Sequence, residues 1–136
     1  LCPQNYYLQK HGRPNHPDEL KNFDCLVYSL LGTGNIWHFR HRGKEFSVGV
    51  KGNFQANNSD AVRQMALAGA GIMALPKWMS HPYIENGELE PILTEYTPQG
   101  FPIQAVYSQS RYVPSKVRSF VSFMQQSFAS DPLLQS

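Results

Sequence analysis

Between Asn57 and Pro76 the chain carries a run of signals that leaves little choice of local fold. Asn57-Asn58-Ser59-Asp60 gathers the residue types that cap a helix amino terminus. In Ala61–Ala70, Ala61, Met65 and Ala68 recur at helical spacing, with Val62 and Ala66 beside them. Gly69 and Gly71 end the helix, and their small size permits close packing on a sheet. Ile72-Met73-Ala74-Leu75 then reads as a buried strand stopped by Pro76. At the helix start, free backbone N–H groups would lie beside two amide side chains, which suits a small anion. Plain helix capping by Asn57 and Asn58 is the competing use of the same residues.

The flanking sequence predicts the partners of this unit. Gln4–His11 reads as a short helix, with Pro3 suited to its first position and Gly12 to its stop. Arg13-Pro14-Asn15-His16-Pro17 is a rigid loop, and Asp18–Asn22 adds a helical turn. Cys25–Leu30 is a strand candidate and Gly32-Thr33-Gly34-Asn35 a loop. Ile36–His41 and Phe46–Val50 alternate around the turn Arg42-Gly43-Lys44-Glu45, a hairpin with Trp37, Phe39 and His41 on one face. Gly52–Asn57 is expected to be a strand leading into the capped helix. Lys77–Ile84 is expected to be a helix interrupted by Pro82, and Leu89–Leu93 a strand. Thr97-Pro98-Gln99-Gly100-Phe101-Pro102 breaks the pattern and marks a lobe boundary. Ile103–Tyr107 is a further strand candidate. After Pro114, Val117, Phe120, Val121, Met124 and Phe128 form an apolar helical stripe, and Ser127–Ser136 is expected to fray. Strands separated by helices predict an α/β fold with crossover connections.

Composition removes several function classes. The 41% hydrophobic and 16% charged fractions are those of an ordinary globular protein. A net charge of +2 gives no dense basic face for nucleic acid. No apolar run is long enough to span a bilayer. The start, Leu1-Cys2-Pro3-Gln4-Asn5, lacks both an initiator Met and a basic-then-apolar export pattern, and reads as the start of a fragment. Cys2 and Cys25 make no disulfide framework, and a reducing cytoplasm fits them. The five histidines lack zinc-like spacing: His38 and His41 fall on opposite strand faces, and His11 and His16 flank a proline-rich loop. Neither a metal nor a cofactor is expected. Gly32-Thr33-Gly34-Asn35 is no phosphate loop, and Gly-x-Ser-x-Gly is absent, so no enzyme is expected. The aromatic-basic hairpin Trp37–Arg42 is explained by strand alternation, and its exposed edge suits self-association.

The series of short motifs resembles one family over nearly the whole chain. It comprises Tyr7-Leu8-Gln9-Lys10-His11-Gly12-Arg13-Pro14, His16-Pro17-Asp18-Glu19-Leu20, Asp24-Cys25-Leu26 and Trp37-His38-Phe39. It continues through Ser59-Asp60-Ala61-Val62-Arg63, Ala68-Gly69-Ala70-Gly71-Ile72, Leu75-Pro76 and Glu85-Asn86-Gly87-Glu88-Leu89. It ends in Ala105-Val106-Tyr107, Arg111 and Pro114–Val121. In this order they resemble the C-terminal half of the effector-binding domain of LysR-type transcriptional regulators. The resemblance implies a periplasmic-binding-protein-like α/β fold, in which two lobes joined by crossovers hold a small effector between them. It implies that residues 1–98 are the second lobe, with a mixed sheet flanked by helices. Residues 99–136 would then be the return crossover and the last strand and helix of the first lobe.

By the same resemblance, Gln55, Asn57 and Asn58 face the effector, with Asn57 the strongest candidate. Cys2 and Gln4 border the cleft, where Cys2 stands at a position that many relatives fill with Ser. Phe101 lies near the second crossover. The expected partners are a small-molecule effector, of anionic type by the helix-start chemistry, and a second copy of the chain. DNA would be met only through an N-terminal winged helix-turn-helix that has no counterpart here. No membrane contact is expected, and the expected compartment is the cytoplasm. The rival reading is a solute-binding protein of a transport system with the same two-lobe shape.

Overall fold

The computed structural model describes residues 1–30, 32–98, 104–106 and 113–134. The chain forms two compact units, Leu1–Gln99 and Gly100–Ser136. The first is built around β1 (Cys25–Tyr28), whose residues Cys25, Leu26 and Val27 are all buried. A strand buried on both faces needs cover on each side. Cys25 and Val27 feed a cluster with Tyr7, Leu20, Trp37, Phe39, Val48 and Ile72. Leu26 feeds a second cluster with Cys2, Val62, Ala66, Met73 and Leu89.

The α/β class holds, and the strands divide between two three-stranded sheets. In the first, β4 (Phe54–Ala56) and β5 (Ile72–Met73) flank β1, both parallel to it. In the second, β2 (Ile36–His41) lies between β3 (Lys44–Gly49) and β6 (Thr97–Pro98), both antiparallel to it. Trp37 and Phe39 are buried while Ile36, His38 and Arg40 are exposed, as the alternation predicts. The hairpin turn needs only Arg42 and Gly43, both at positive φ. Helix α1 (Asn5–His11) begins one residue later than Pro3 suggested, because the Gln4 side chain caps it by accepting from the Tyr6 N–H. Pro17–Asn22 is a 3-10 turn.

Helix α2 (Ser59–Leu67) carries the buried Val62 and Ala66 against the sheet. The chain turns out of it at Gly69, whose φ of +75 favours glycine, and not at Gly71. Gly71 is needed for close approach instead, since a Cβ there would lie 2.3 Å from the Asp24 carbonyl oxygen. Helix α3 (Lys77–Glu85) runs straight through Pro82, where a break was expected. Leu89–Leu93 is not a strand. It is joined to the chain start by one bridge, Leu89 to Gln4, and by the Glu90 and Ile92 N–H groups donating to the Pro3 and Leu1 carbonyls, and the chain then turns at Leu93, φ +52.

The second unit contains α4 (Ser115–Ser130), preceded by Pro114. It extends through Ser130, beyond the expected start of fraying at Ser127. None of its residues is buried, so its apolar stripe makes no core within the described residues. Gln104–Val106 has no strand pairing, and Ile103 and Tyr107 lie outside the described residues, as does Phe101. No helix of the described residues is long and apolar enough to cross a membrane.

Candidate functional site

Because β4, β1 and β5 are parallel, their carboxyl ends share one sheet edge. The three strands enter the sheet in the order centre, one side, other side. Ligands of open parallel sheets bind outside the carboxyl ends, where such an order reverses direction. Each strand delivers different chemistry there. β4 delivers Asn57 and Asn58, β1 delivers Ser29 and Leu30, and β5 delivers Ala74, Leu75 and the start of α3.

The Asn58 side-chain oxygen accepts from the N–H groups of Asp60, at 2.8 Å, and Ala61, at 3.4 Å. Asn58 is therefore the cap of α2, and its oxygen is occupied. The exposed Asn57 side chain makes no hydrogen bond among the described residues. It is the free amide of the pair. Asp60 adds a carboxylate to the first turn of α2 and pairs with Arg63 at 2.9 Å. Arg63 also lies over the Tyr83 ring, 5.1 Å from its centroid, which ties α2 to α3. The start of α3 differs: Pro76 offers no side-chain cap, its first turn has no acid, and it holds Lys77 and the half-exposed Trp78. Positive potential from helix ends and side chains is thus stronger at α3 than at α2.

The remaining candidates separate. Gln55 is exposed and sits on β4, opposite Val27 of β1. Cys2 reaches the same edge by pairing with Met73, its N–H donating to the Met73 carbonyl at 3.0 Å. Its side chain, however, is 4% exposed and packs with Leu26, Val62 and Met73. Gln4 lies away from that edge. Its side-chain oxygen caps α1 and faces Gly69, where the chain enters β5. Ser29, Leu30, Lys77 and Trp78 escaped sequence reasoning, because only the parallel pairing puts the chain leaving β1 and β5 at the same sheet edge as Asn57.

Cys25 is no nucleophile. Its thiol donates to the Leu20 carbonyl, and burial, with the Asp24 charge beside it, pushes it up to about 12. Burial likewise raises the Tyr7 hydroxyl, although its acceptance of the Asp24 N–H opposes this. A thiol held neutral in the folded chain but free to ionise when unfolded favours folding fully only below its unfolded pKa. Its share of stability is lost as pH rises from about 8.5 through the folded value. Native Cys25 is accordingly expected to resist iodoacetamide at pH ~8, reacting at the rate of unfolding, by mass spectrometry of timed samples. Both cysteines are free, and among the described residues no group of three or more His, Cys, Asp or Glu could hold a metal.

A three-stranded parallel sheet with helix starts at its carboxyl edge defines an α/β domain of the kind that takes ligands outside its strand ends. The chain belongs to the LysR substrate binding domain family, which its residues 1–129 match. It is 38% identical over 125 residues to the HTH-type transcriptional activator TtdR of Escherichia coli K12, a match covering 91% of this chain and 40% of that protein. It is 30% identical to the probable HTH-type transcriptional regulator SinR of Salmonella typhimurium, over 97% of this chain and 43% of that protein. Among solved structures, the regulatory domain of CrgA from Neisseria meningitidis, a LysR-type transcriptional regulator, superposes with a TM-score of 0.69. That match has 27% identity and covers 93% of this chain and 62% of that regulatory-domain chain. Full-length AphB, a Vibrio cholerae virulence activator, gives 0.72 at 25% identity, over 93% of this chain and 43% of AphB's. The chain thus spans about two fifths of the length of the curated relatives it matches. These relatives are transcriptional regulators, which disfavours the transport solute-binding reading.

Proposed function

We propose that this chain is the larger part of the effector sensor of a LysR-type transcriptional regulator. A small anionic effector binds at the carboxyl edge of the parallel sheet, with the Asn57 amide as a donor. The observation that carries this reading is the division of labour at α2, where Asn58 caps the helix and leaves Asn57 exposed and unbonded. In this reading residues 1–98 are one lobe. Residues 99–136 return to the other lobe, whose remaining part covers the stripe of α4. The whole protein acts in the cytoplasm as a homodimer and is not an enzyme. It meets DNA through a winged helix-turn-helix outside this chain. Effector binding biases the angle between lobes by favouring one arrangement over the other.

The test uses the full-length protein and a panel of carboxylates and phosphate, from which the anion that raises its thermal midpoint is chosen. Asn57→Ala is expected to weaken calorimetric affinity for that anion about tenfold, with unchanged stability. Asn58→Ala is expected to do the reverse, costing about 1 kcal/mol of stability through the lost cap. Unchanged affinity in Asn57→Ala would remove the site from this edge.

A further inference from the structure

A second cluster lies on the hairpin sheet of the first unit and belongs to neither helix start. The Tyr96 ring sits 4.6 Å from His41, 5.3 Å from His16 and 6.1 Å from Phe46, centroid to centroid. His16 also stacks on Phe46 at 6.1 Å, and Phe46 on Phe39 at 5.7 Å. These rings come from the loop before the 3-10 turn, from β2, from β3 and from the turn before β6. Next to Tyr96, the Glu95 carbonyl meets His41 Nδ1 at 2.9 Å. A carbonyl only accepts, so Nδ1 must carry the hydrogen. β6 itself is two residues long and is the last strand before the unit ends at Gln99. So short a strand adds few ladder bonds of its own, and the ring cluster adds contacts at its start.

We propose that Tyr96, held between His16 and His41, is an acid-tightened latch that fixes β6 to β2. Neutral His41 has two tautomers, and the one with a bare Nδ1 sets a lone pair against the Glu95 carbonyl. Protonation places hydrogen on both nitrogens, so the donor is always present and the bond becomes charge-assisted. An imidazolium against the Tyr96 ring also gains cation–π attraction. His16 only exchanges one partner for another. Its Nδ1 accepts from the Asp18 N–H at 3.2 Å and lies 3.2 Å from the Asp18 carboxylate. Protonation exchanges the first contact for an ion pair with the second.

The opposing charges are those of the hairpin tip. Lys44 stands opposite His41 across the ladder, and Arg42 is next to it in the turn. Arg40 is already paired with Glu45 at 2.8 Å. Lys44 and Arg42 are exposed, and solvent screens them. Arg13 lines a pocket with Glu95 and Tyr96 and is paired with Glu90, and the Asp18 carboxylate lies against His16. The latch stands on these contacts alone. Its regulatory meaning rests on the reading above, in which the chain leaving β6 enters the other lobe.

The test is hydrogen exchange by mass spectrometry on the full-length protein, reading residues 94–98 against residues 25–28 of β1. Rates are corrected for intrinsic exchange and compared at about pH 5.5 and about pH 8. Protection of 94–98 is expected to rise about fivefold at the lower pH, as one bond becomes charge-assisted, while β1 stays constant. His41→Gln keeps an N–H donor that cannot ionise and is expected to flatten the response. Tyr96→Leu, which removes the shared ring, is expected to flatten it as well, and serves if the first variant does not fold. A flat or inverted response in the parent protein overturns the latch. So does an equal change in β1, or full pH dependence in both variants. None of these readings needs an effector, so failure of the ligand site leaves this result intact.

Discussion

Gly52→Ala is expected to lower the unfolding free energy by about 3 kcal/mol or more, at the upper end of what overpacking costs. Gly52 lies between β3 and β4, where the chain runs against the start of β1 and the Cys25 N–H donates to the Lys51 carbonyl at 2.9 Å. A Cβ there would sit 1.9 Å from the Cys25 carbonyl oxygen and 2.7 Å from the Cys25 backbone N and C. These are backbone atoms of the central strand, so no rotamer change relieves the contact. The chain must move away, opening the Cys25–Lys51 bond and disturbing the strand both clusters share. Gly49→Ala is the control, because a Cβ at Gly49 meets nothing within 4 Å. It is expected to change stability by under ~0.5 kcal/mol, in line with exposed positions. Urea unfolding of both variants measures the difference, and near-equal midpoints would mean that Gly52 does not approach β1 as described.

Phe39→Ala is expected to cost about 4 kcal/mol, within the range for deleting a buried aromatic ring. Phe39 is 1% exposed, lies on the central strand of the hairpin sheet and stacks on Phe46. It faces Phe46 across one ladder and Pro98 across the other. Its removal therefore leaves a cavity that neither edge strand can close alone. Set against the 5–15 kcal/mol typical of whole domains, that is a large share of stability. Ile36→Ala, on the same strand but with Ile36 47% exposed, is expected to cost under ~1 kcal/mol. A denaturant series separates the two, and equal losses would contradict the assignment of strand faces.

Much of the fold was legible because local signals and tertiary demands agree. The hairpin alternation put Trp37 and Phe39 inside, whereas the spacing of Ala61, Met65 and Ala68 pointed beside the face α2 buries, which is that of Val62 and Ala66. Failures occurred where a tertiary contact overrode a local rule. Pro82 does not break α3, and Leu89–Leu93 has strand-like residues but runs along Leu1–Gln4 with a single bridge, Leu89 to Gln4. Gly69 rather than Gly71 takes the positive φ, because Gly71 is needed for its approach to Asp24. The candidate site was half legible. Two adjacent asparagines announce a helix start, but sequence does not say which one caps it. The parallel register that sets Ser29 and Trp78 on the same edge is a long-range property with no local signature.

Pro82 within α3 has one more effect. Proline brings no N–H, so the Trp78 carbonyl, four residues earlier, loses its helical partner. The opening turn of α3 is thereby held more loosely than the turns after it, and it carries an indole that is 48% exposed. The chain's other indole, Trp37, is 8% exposed. A collisional quencher such as iodide reaches the first and spares the second. The fluorescence of the native chain is thus a built-in optical gauge of events at the sheet's carboxyl rim, with no dye attached.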